Sequence, residues 1–122
     1  MKKTAFPFFT VMFATAGIAH FVFPTIFLKA MPPLFPAKLA TFLNLLVGAI
    51  EIGLAISFWT KFRQVGVYVS IFLLVIFLVL IHSWHLLIGR FPGFPEVSQA
   101  VLWLRVAAQL FLIYWFWLVR NE

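Results

Sequence analysis

Long apolar runs, separated by short polar or proline-rich segments, dominate the pattern of the chain. Four of these runs are near the ~20 residues that a helix needs to cross a bilayer. They cover about residues 5–28, 39–60, 65–88 and 100–119. The third run is rich in β-branched residues that favour strands in water, but in lipid a run of this length must satisfy its own backbone hydrogen bonds as a helix. The pattern predicts an all-α protein, a polytopic four-helix transmembrane bundle that forms one domain over residues 1–122.

The segments between the runs contain residues that interrupt helices. Residues 29–38 hold three prolines, which exclude a continuous helix and predict a stiff loop. Residues 61–64 form a short basic turn, and residues 89–99 form a second loop rich in proline and glycine. Pro7 lies in the first turn of the first span, where proline is tolerated, whereas Pro24 is expected to kink or end that span.

The N-terminal run has some features of a secretory signal. Lys2 and Lys3 precede an apolar stretch, and Ala14-Thr15-Ala16 resembles a signal-peptide cleavage site. The apolar run continues to Leu28, however, which is longer than a usual signal core. We therefore expect an uncleaved first helix.

The composition supports a membrane protein and excludes several other classes. The chain is 65% hydrophobic and 10% charged, whereas soluble domains are about 25% charged. The formal net charge of +6 does not indicate nucleic-acid binding, because the basic residues lie singly or in pairs at the ends of the apolar runs, where they orient membrane helices. The chain contains no cysteine, which excludes disulfides and thiol redox chemistry within it. The expected partner is the lipid bilayer.

The distribution of basic residues between the two sides predicts the orientation. One side would carry the larger group, which is Lys2, Lys3, Lys61, Arg63 and Arg120. The other side would carry Lys29, Lys38 and Arg90. Since the more basic side usually faces the cytoplasm, we expect a multi-pass protein with both termini in the cytoplasm.

Seven polar or ionisable residues interrupt the four spans. They are His20, Asn44, Glu51, His82, His85, Arg105 and Gln109. A rise of ~1.5 Å per residue places them in the outer half of the bundle, with Glu51 deepest. Spacings of three, four or seven residues within each helix put its polar groups on one face. The pattern predicts a polar seam that is open to the outside and closed below by Glu51.

Two pairings of Glu51 follow from these depths. Gln109 is nearest to Glu51 in depth, so the two could form a direct hydrogen bond. An ion pair between Glu51 and Arg105 is also expected, through helix tilt, an inward-reaching side chain or a bridging water.

The seam has two competing interpretations. It is either a buried network that fixes the order of the helices or a pocket for a small molecule, a quinone headgroup or a proton path, since ionisable residues inside membranes often mark function. A metal site is a weaker hypothesis, because His82 and His85 at i, i+3 form no recognised ligand signature alone. The chain shows no nucleophile elbow, phosphate loop or paired carboxylates, so we assign no catalytic residue and no metal ligand.

Small residues recur on the second span at every fourth position. Ala49, Gly53 and Ser57 would form a groove that allows another helix to approach closely.

Taken in order, several motifs resemble the DoxX family of small four-helix membrane proteins. The first group is Gly17-Ile18-Ala19-His20-Phe21 with Pro24 and Phe27, followed by Met31-Pro32-Pro33 with Pro36. The later groups are Gly48-Ala49-Ile50-Glu51 with Gly53, and Trp103-Leu104-Arg105 with Gln109. The chain departs from the family where Leu80-Ile81-His82 replaces a Pro-Ala-Asn turn and where Val106-Ala107 replaces Leu-Pro.

The resemblance implies a location in a bacterial inner membrane and a role beside other membrane proteins. DoxX members look like subunits of membrane oxidoreductases, including thiosulfate:quinone oxidoreductases, and like maturation factors. We expect a non-catalytic accessory subunit or an assembly factor, with a membrane protein partner or a homo-oligomer. The alternative is a quinone-linked subunit of a membrane oxidoreductase, with quinone as the ligand near Glu51 and Arg105 and with no cofactor intrinsic to the chain.

Overall fold

The structure, a computed structural model, describes residues 2–92, 94 and 96–122. Gly93 and Pro95 of the second predicted loop, and the side chains of Lys2 and Lys3, lie outside the described residues. The protein is 79% helical, and the described residues contain no strand, which confirms the all-α fold class. The helices are α1 (Lys2–Val22), α2 (Pro24–Ala30), α3 (Ala37–Ser57), α4 (Arg63–Ile88) and α5 (Gln99–Leu118).

Four of these helices are long and apolar enough to cross a membrane. The apolar segments are Thr4–Val22, Ala37–Ser57, Arg63–Ile88 and Gln99–Leu118. At most 33% of each segment is buried inside the protein, so large apolar side chains cover its outer surface. Such a surface suits contact with lipid rather than water. The chain is therefore a multi-pass membrane protein, as the apolar runs predicted.

Pro24 divides the first predicted span into two helices. α1 ends at Val22, Phe23 leaves the helical conformation with φ −124° and ψ 56°, and α2 begins at Pro24. Proline fits the first position of a helix because the missing amide hydrogen would have no partner there. The span therefore ends earlier than residue 28, and α2 is a separate short helix that packs against α1 and α3.

α4 contains a π-helical turn that its composition did not predict. The helix is α-helical over Arg63–Phe77, π-helical over Leu78–His82 and α-helical again over Ser83–Ile88. The Ser83 hydroxyl donates a hydrogen bond of 2.8 Å to the Leu78 carbonyl inside this turn. A π turn adds a residue and rotates the following side chains, and such turns are frequent at functional sites.

α1 and α3 approach each other closely at two glycines. A Cβ atom on Gly17 would lie 2.8 Å from the Gly48 carbonyl oxygen, and one on Gly48 would lie 3.0 Å from the Gly17 carbonyl oxygen. The groove predicted at Ala49, Gly53 and Ser57 is wrong for Ala49 and Gly53 as a contact within the described chain, whereas Ser57 lies directly against Gly66 of α4. Ala49 and Gly53 are exposed, and a Cβ on Gly53 would meet no atom within 4 Å.

Aromatic packing fills the half of the bundle that lies near the chain termini. Phe9, Phe13, Phe58 and Phe116 are fully or almost fully buried, and the rings of Phe9 and Phe116 stack with centroids 3.7 Å apart. Phe9 and Phe13 belong to α1, Phe116 belongs to α5, and Phe58 directly follows α3. Most of the predicted polar residues lie toward the opposite ends of the helices, and Glu51 and Gln109 lie between them and the aromatic rings, so the bundle has an aromatic half and a polar half.

Candidate ligand-binding site

A cavity of about 260 Å³ lies in the polar half and is partly open to the outside of the protein. Its polar lining consists of His20, Glu51, His82 and Arg105. Most of its remaining lining is apolar and aromatic, including Phe27, Phe77 and Phe91. Four of the seven predicted polar residues therefore share one cavity. Asn44 and His85 contact two of these four from outside the cavity, and Gln109 bonds to the backbone of α4 instead.

His20 is oriented by Asn44. The Nδ1 atom of His20 lies 2.6 Å from Oδ1 of Asn44, and Nδ2 of Asn44 donates a hydrogen bond of 2.9 Å to the His20 carbonyl. Because the amide nitrogen is already used as the donor, Oδ1 must accept, and Nδ1 of His20 carries a hydrogen. The ring also stacks on Phe27 with centroids 3.7 Å apart. His20 is thus held from two directions.

The other nitrogen of His20 faces Glu51. Nε2 lies 2.8 Å from Oε1 of Glu51, and both side chains are less than 10% exposed. Nδ1 already carries a hydrogen, and two unprotonated atoms would repel at this distance, so either Nε2 or Oε1 carries one further proton. The pair is neutral overall whichever atom holds it. The contact is poorly directed, so Oε1 is buried without a well-formed hydrogen bond among the described residues. Glu51 can therefore accept a hydrogen bond from a ligand in the cavity.

Arg105 is positioned by His85. The His85 Nε2 atom lies 2.9 Å from the Ala30 carbonyl, which can only accept, so Nε2 carries the hydrogen. The unprotonated Nδ1 atom then accepts from Nη1 of Arg105 at 2.9 Å. The guanidinium also lies over the Phe91 ring, 4.5 Å from its centroid. Through the Ala30 carbonyl, α2 fixes His85, and His85 fixes Arg105.

His82 lines the cavity from the π turn of α4. Its Nδ1 atom is buried and has no hydrogen-bond partner among the described residues. Buried polar atoms are usually satisfied, so an unsatisfied one beside a cavity suggests a bound molecule or water. The sequence predicted that His82 belongs to the polar seam. The π turn that directs its side chain toward the cavity has no recognisable motif in the sequence.

Glu51 makes neither predicted pairing directly, and its pairing with Arg105 through a bridging water stays a prediction. Gln109 instead donates a hydrogen bond of 3.0 Å to the Leu74 carbonyl, Arg105 contacts His85, and Glu51 contacts His20. The physical reason is the order of the helices around the bundle. α3 packs mainly against α1, and α5 packs mainly against α4, so residues of α3 and α5 at similar depth are not neighbours.

The described residues contain no group of three or more His, Cys, Asp or Glu side chains that could hold a metal ion. The histidines are divided between two clusters, with His20 beside Glu51 and His85 beside Arg105.

The sequence model of one family, described as Domain of unknown function (DUF8561), matches residues 9–120. The chain belongs to this family. The match includes most of the first span, all of the other three spans and every polar residue of the cavity, so the site lies within the family domain. No curated protein and no solved structure matches the chain significantly.

Proposed function

We propose that this protein binds a lipid-soluble small molecule with a compact oxygen-bearing headgroup, of which a quinone is the type, in the cavity between α1 and α5. The observation that carries the proposal is the cavity itself, where Arg105 and Glu51 meet aromatic walls within a membrane protein. Binding pockets commonly combine a mostly apolar lining with a few placed polar groups.

The residues of the cavity match the groups of such a headgroup. Arg105 supplies hydrogen-bond donors for a carbonyl oxygen, and Glu51 supplies an acceptor for a hydroxyl. Phe27 and Phe91 offer ring surfaces beside them. The resemblance to the DoxX family supports a quinone-linked subunit of a membrane oxidoreductase, and the electrons would then come from a partner subunit.

The proposal is tested by filling the cavity. Ala16 lines the cavity, whereas Ala107 is exposed on the outer face of α5. We expect Ala16→Phe to abolish binding of a short-chain benzoquinone to the protein in lipid nanodiscs, while Ala107→Phe leaves binding unchanged. Titration followed by native mass spectrometry measures both. Equal binding by the two variants would show that the quinone sits elsewhere.

A second candidate is a non-catalytic accessory subunit or assembly factor. The observation that favours it is the exposed small-residue surface at Ala49 and Gly53, since such surfaces allow close helix contacts in membranes. A Gly53→Leu variant should lose any stoichiometric partner or second copy that accompanies the gently extracted wild type. Ala107→Leu, on another exposed face, is the matched control. Retention of the partner by Gly53→Leu would exclude this surface.

We further propose a bacterial inner-membrane location with both termini in the cytoplasm. Support comes from the basic residues around a polar recess of about 290 Å³, where Lys61 and Arg63 of the α3–α4 turn meet Arg120 of the C-terminal tail. Four crossings would place both termini on this side, and the more basic side usually faces the cytoplasm.

A further inference from the structure

Arg105 is a cation inside a membrane span, and the described residues give it no counter-ion. The sequence contains three acidic side chains, Glu51, Glu96 and Glu122. Glu51 makes its ion-pair contact with His20, and no described carboxylate lies within 4.0 Å of the Arg105 guanidinium. Charges within membranes are costly and normally pair with one another.

The contacts that Arg105 does make are neutral. His85 accepts through Nδ1 while donating through Nε2, so its imidazole carries no net charge in this arrangement. The Phe91 ring attracts the guanidinium through its face but does not neutralise it. A guanidinium has five N–H donors, and the contact with His85 uses one. The remaining donors have no described acceptor, and Arg105 lines the cavity.

The other polar groups of the cavity do not compensate this charge. The His20–Glu51 pair is neutral whether Nε2 or Oε1 holds the proton between them. His82 adds either no charge or a positive one. The cavity therefore carries a net positive charge beside aromatic walls, and a ligand that balances it needs one negative charge next to an apolar body.

From this charge balance we infer that the cavity binds an amphiphilic monoanion whose anionic group pairs with Arg105 and whose apolar part contacts Phe27, Phe77 and Phe91. The inference rests on the proposed ligand-binding function and narrows its ligand to an anionic class. The same chemistry has two sources, which are the phosphate of an anionic lipid and the carboxylate of a free lipophilic acid.

A matched pair of ligands tests the charge requirement on the wild-type protein. Decanoate and decanamide have the same shape, but only decanoate is charged at pH 8. In nanodiscs of zwitterionic phosphatidylcholine, we expect decanoate to bind at least ten-fold more tightly, measured by native mass spectrometry. Equal binding of the two ligands, or tighter binding of decanamide, overturns the inference.

Variants assign the preference to Arg105. Arg105→Gln should remove the preference for decanoate, and Arg105→Lys should keep most of it. Arg120→Gln removes a positive charge at the opposite end of the bundle and should leave the preference intact. A preference that survives in Arg105→Gln overturns the assignment. If that variant does not fold, the comparison of the two ligands on the wild type still decides the charge requirement.

A further experiment with an anionic lipid distinguishes a lipid phosphate from a free acid as the source of the anionic group. Selective retention of phosphatidylglycerol by the wild type but not by Arg105→Gln, without binding of decanoate, supports the inference with a lipid headgroup as the source. Binding of decanoate without retention of phosphatidylglycerol supports it with a free acid. Binding of the benzoquinone alone overturns the anionic inference and leaves the proposed function intact. Binding of none of these molecules overturns both.

Discussion

Replacing Gly17 by alanine tests whether the glycine contact between α1 and α3 holds the polar site together. A Cβ atom at this position would lie 2.7 Å from Cγ1 of Ile52 and 2.8 Å from the Gly48 carbonyl oxygen. The Ile52 side chain can rotate, but the carbonyl belongs to the backbone of α3. The two helices must therefore move apart, and His20 moves away from Glu51 with them.

The magnitude follows from a comparison with Gly53. Gly17→Ala and Gly53→Ala gain the same helix propensity, about 0.8–1.0 kcal/mol, because both residues lie inside helices. Only Gly17→Ala adds overpacking, which costs about 1–3 kcal/mol, since a Cβ on Gly53 meets nothing within 4 Å. The gain in helix propensity is the same in both variants, so it cancels when their free energies of unfolding are compared. Gly17→Ala should therefore be about 1–3 kcal/mol less stable than Gly53→Ala.

Unfolding of both variants in mild detergent, with increasing denaturant and circular dichroism as the readout, measures this difference. Gly53→Ala should unfold at the same denaturant concentration as the wild type or at a slightly higher one, and Gly17→Ala at a lower one. If the two variants unfold together, α1 and α3 are not in close contact at Gly17. The account of how His20 reaches Glu51 would then be wrong.

Three further predictions follow from the contacts. Glu51→Ala should lower the free energy of unfolding by about 1–3 kcal/mol because it leaves Nε2 of His20 buried and unpaired. Glu51→Gln keeps an oxygen at this position and should lower it less. Equal melting temperatures of both variants and the wild type in detergent would contradict this expectation. Gln109→Leu should lower the free energy of unfolding by about 0.5–1.5 kcal/mol because the hydrogen bond to the Leu74 carbonyl is lost. An unchanged melting temperature would show that this bond contributes nothing to stability. Phe62→Cys creates a single cysteine in the chain, and it should react with membrane-impermeant reagents only after the cell is opened; labelling of intact cells would reverse the proposed orientation.

The sequence predicted the four spans well because lipid imposes a simple rule. A run of about 20 apolar residues can cross the bilayer only as a helix, whatever its neighbours are. The early end of the first span at Val22 also follows local rules, because the effect of Pro24 on the backbone does not depend on the rest of the fold. The alternative that Pro24 ends the span was therefore available from the sequence alone.

The partners of the polar residues could not be predicted in the same way. Depth along each helix follows from residue number, but contact also depends on which helices are neighbours. The approach of Gly17 to Gly48 selects His20 as the partner of Glu51, and the packing of α5 on α4 selects His85 for Arg105. The π turn that brings His82 to the cavity depends on packing around α4 and is not encoded in a short motif.

The aromatic half of the bundle closes the cavity on the side of the chain termini. Between the cavity and the end of the bundle near the termini stand the rings of Phe9, Phe13, Phe58 and Phe116, each at most 2% exposed. These four rings carry no polar atom that could pass an ion or a proton onward. In this conformation, a molecule in the cavity cannot leave past these four rings. Carrying a solute to the end of the bundle near the chain termini would require the rings to separate.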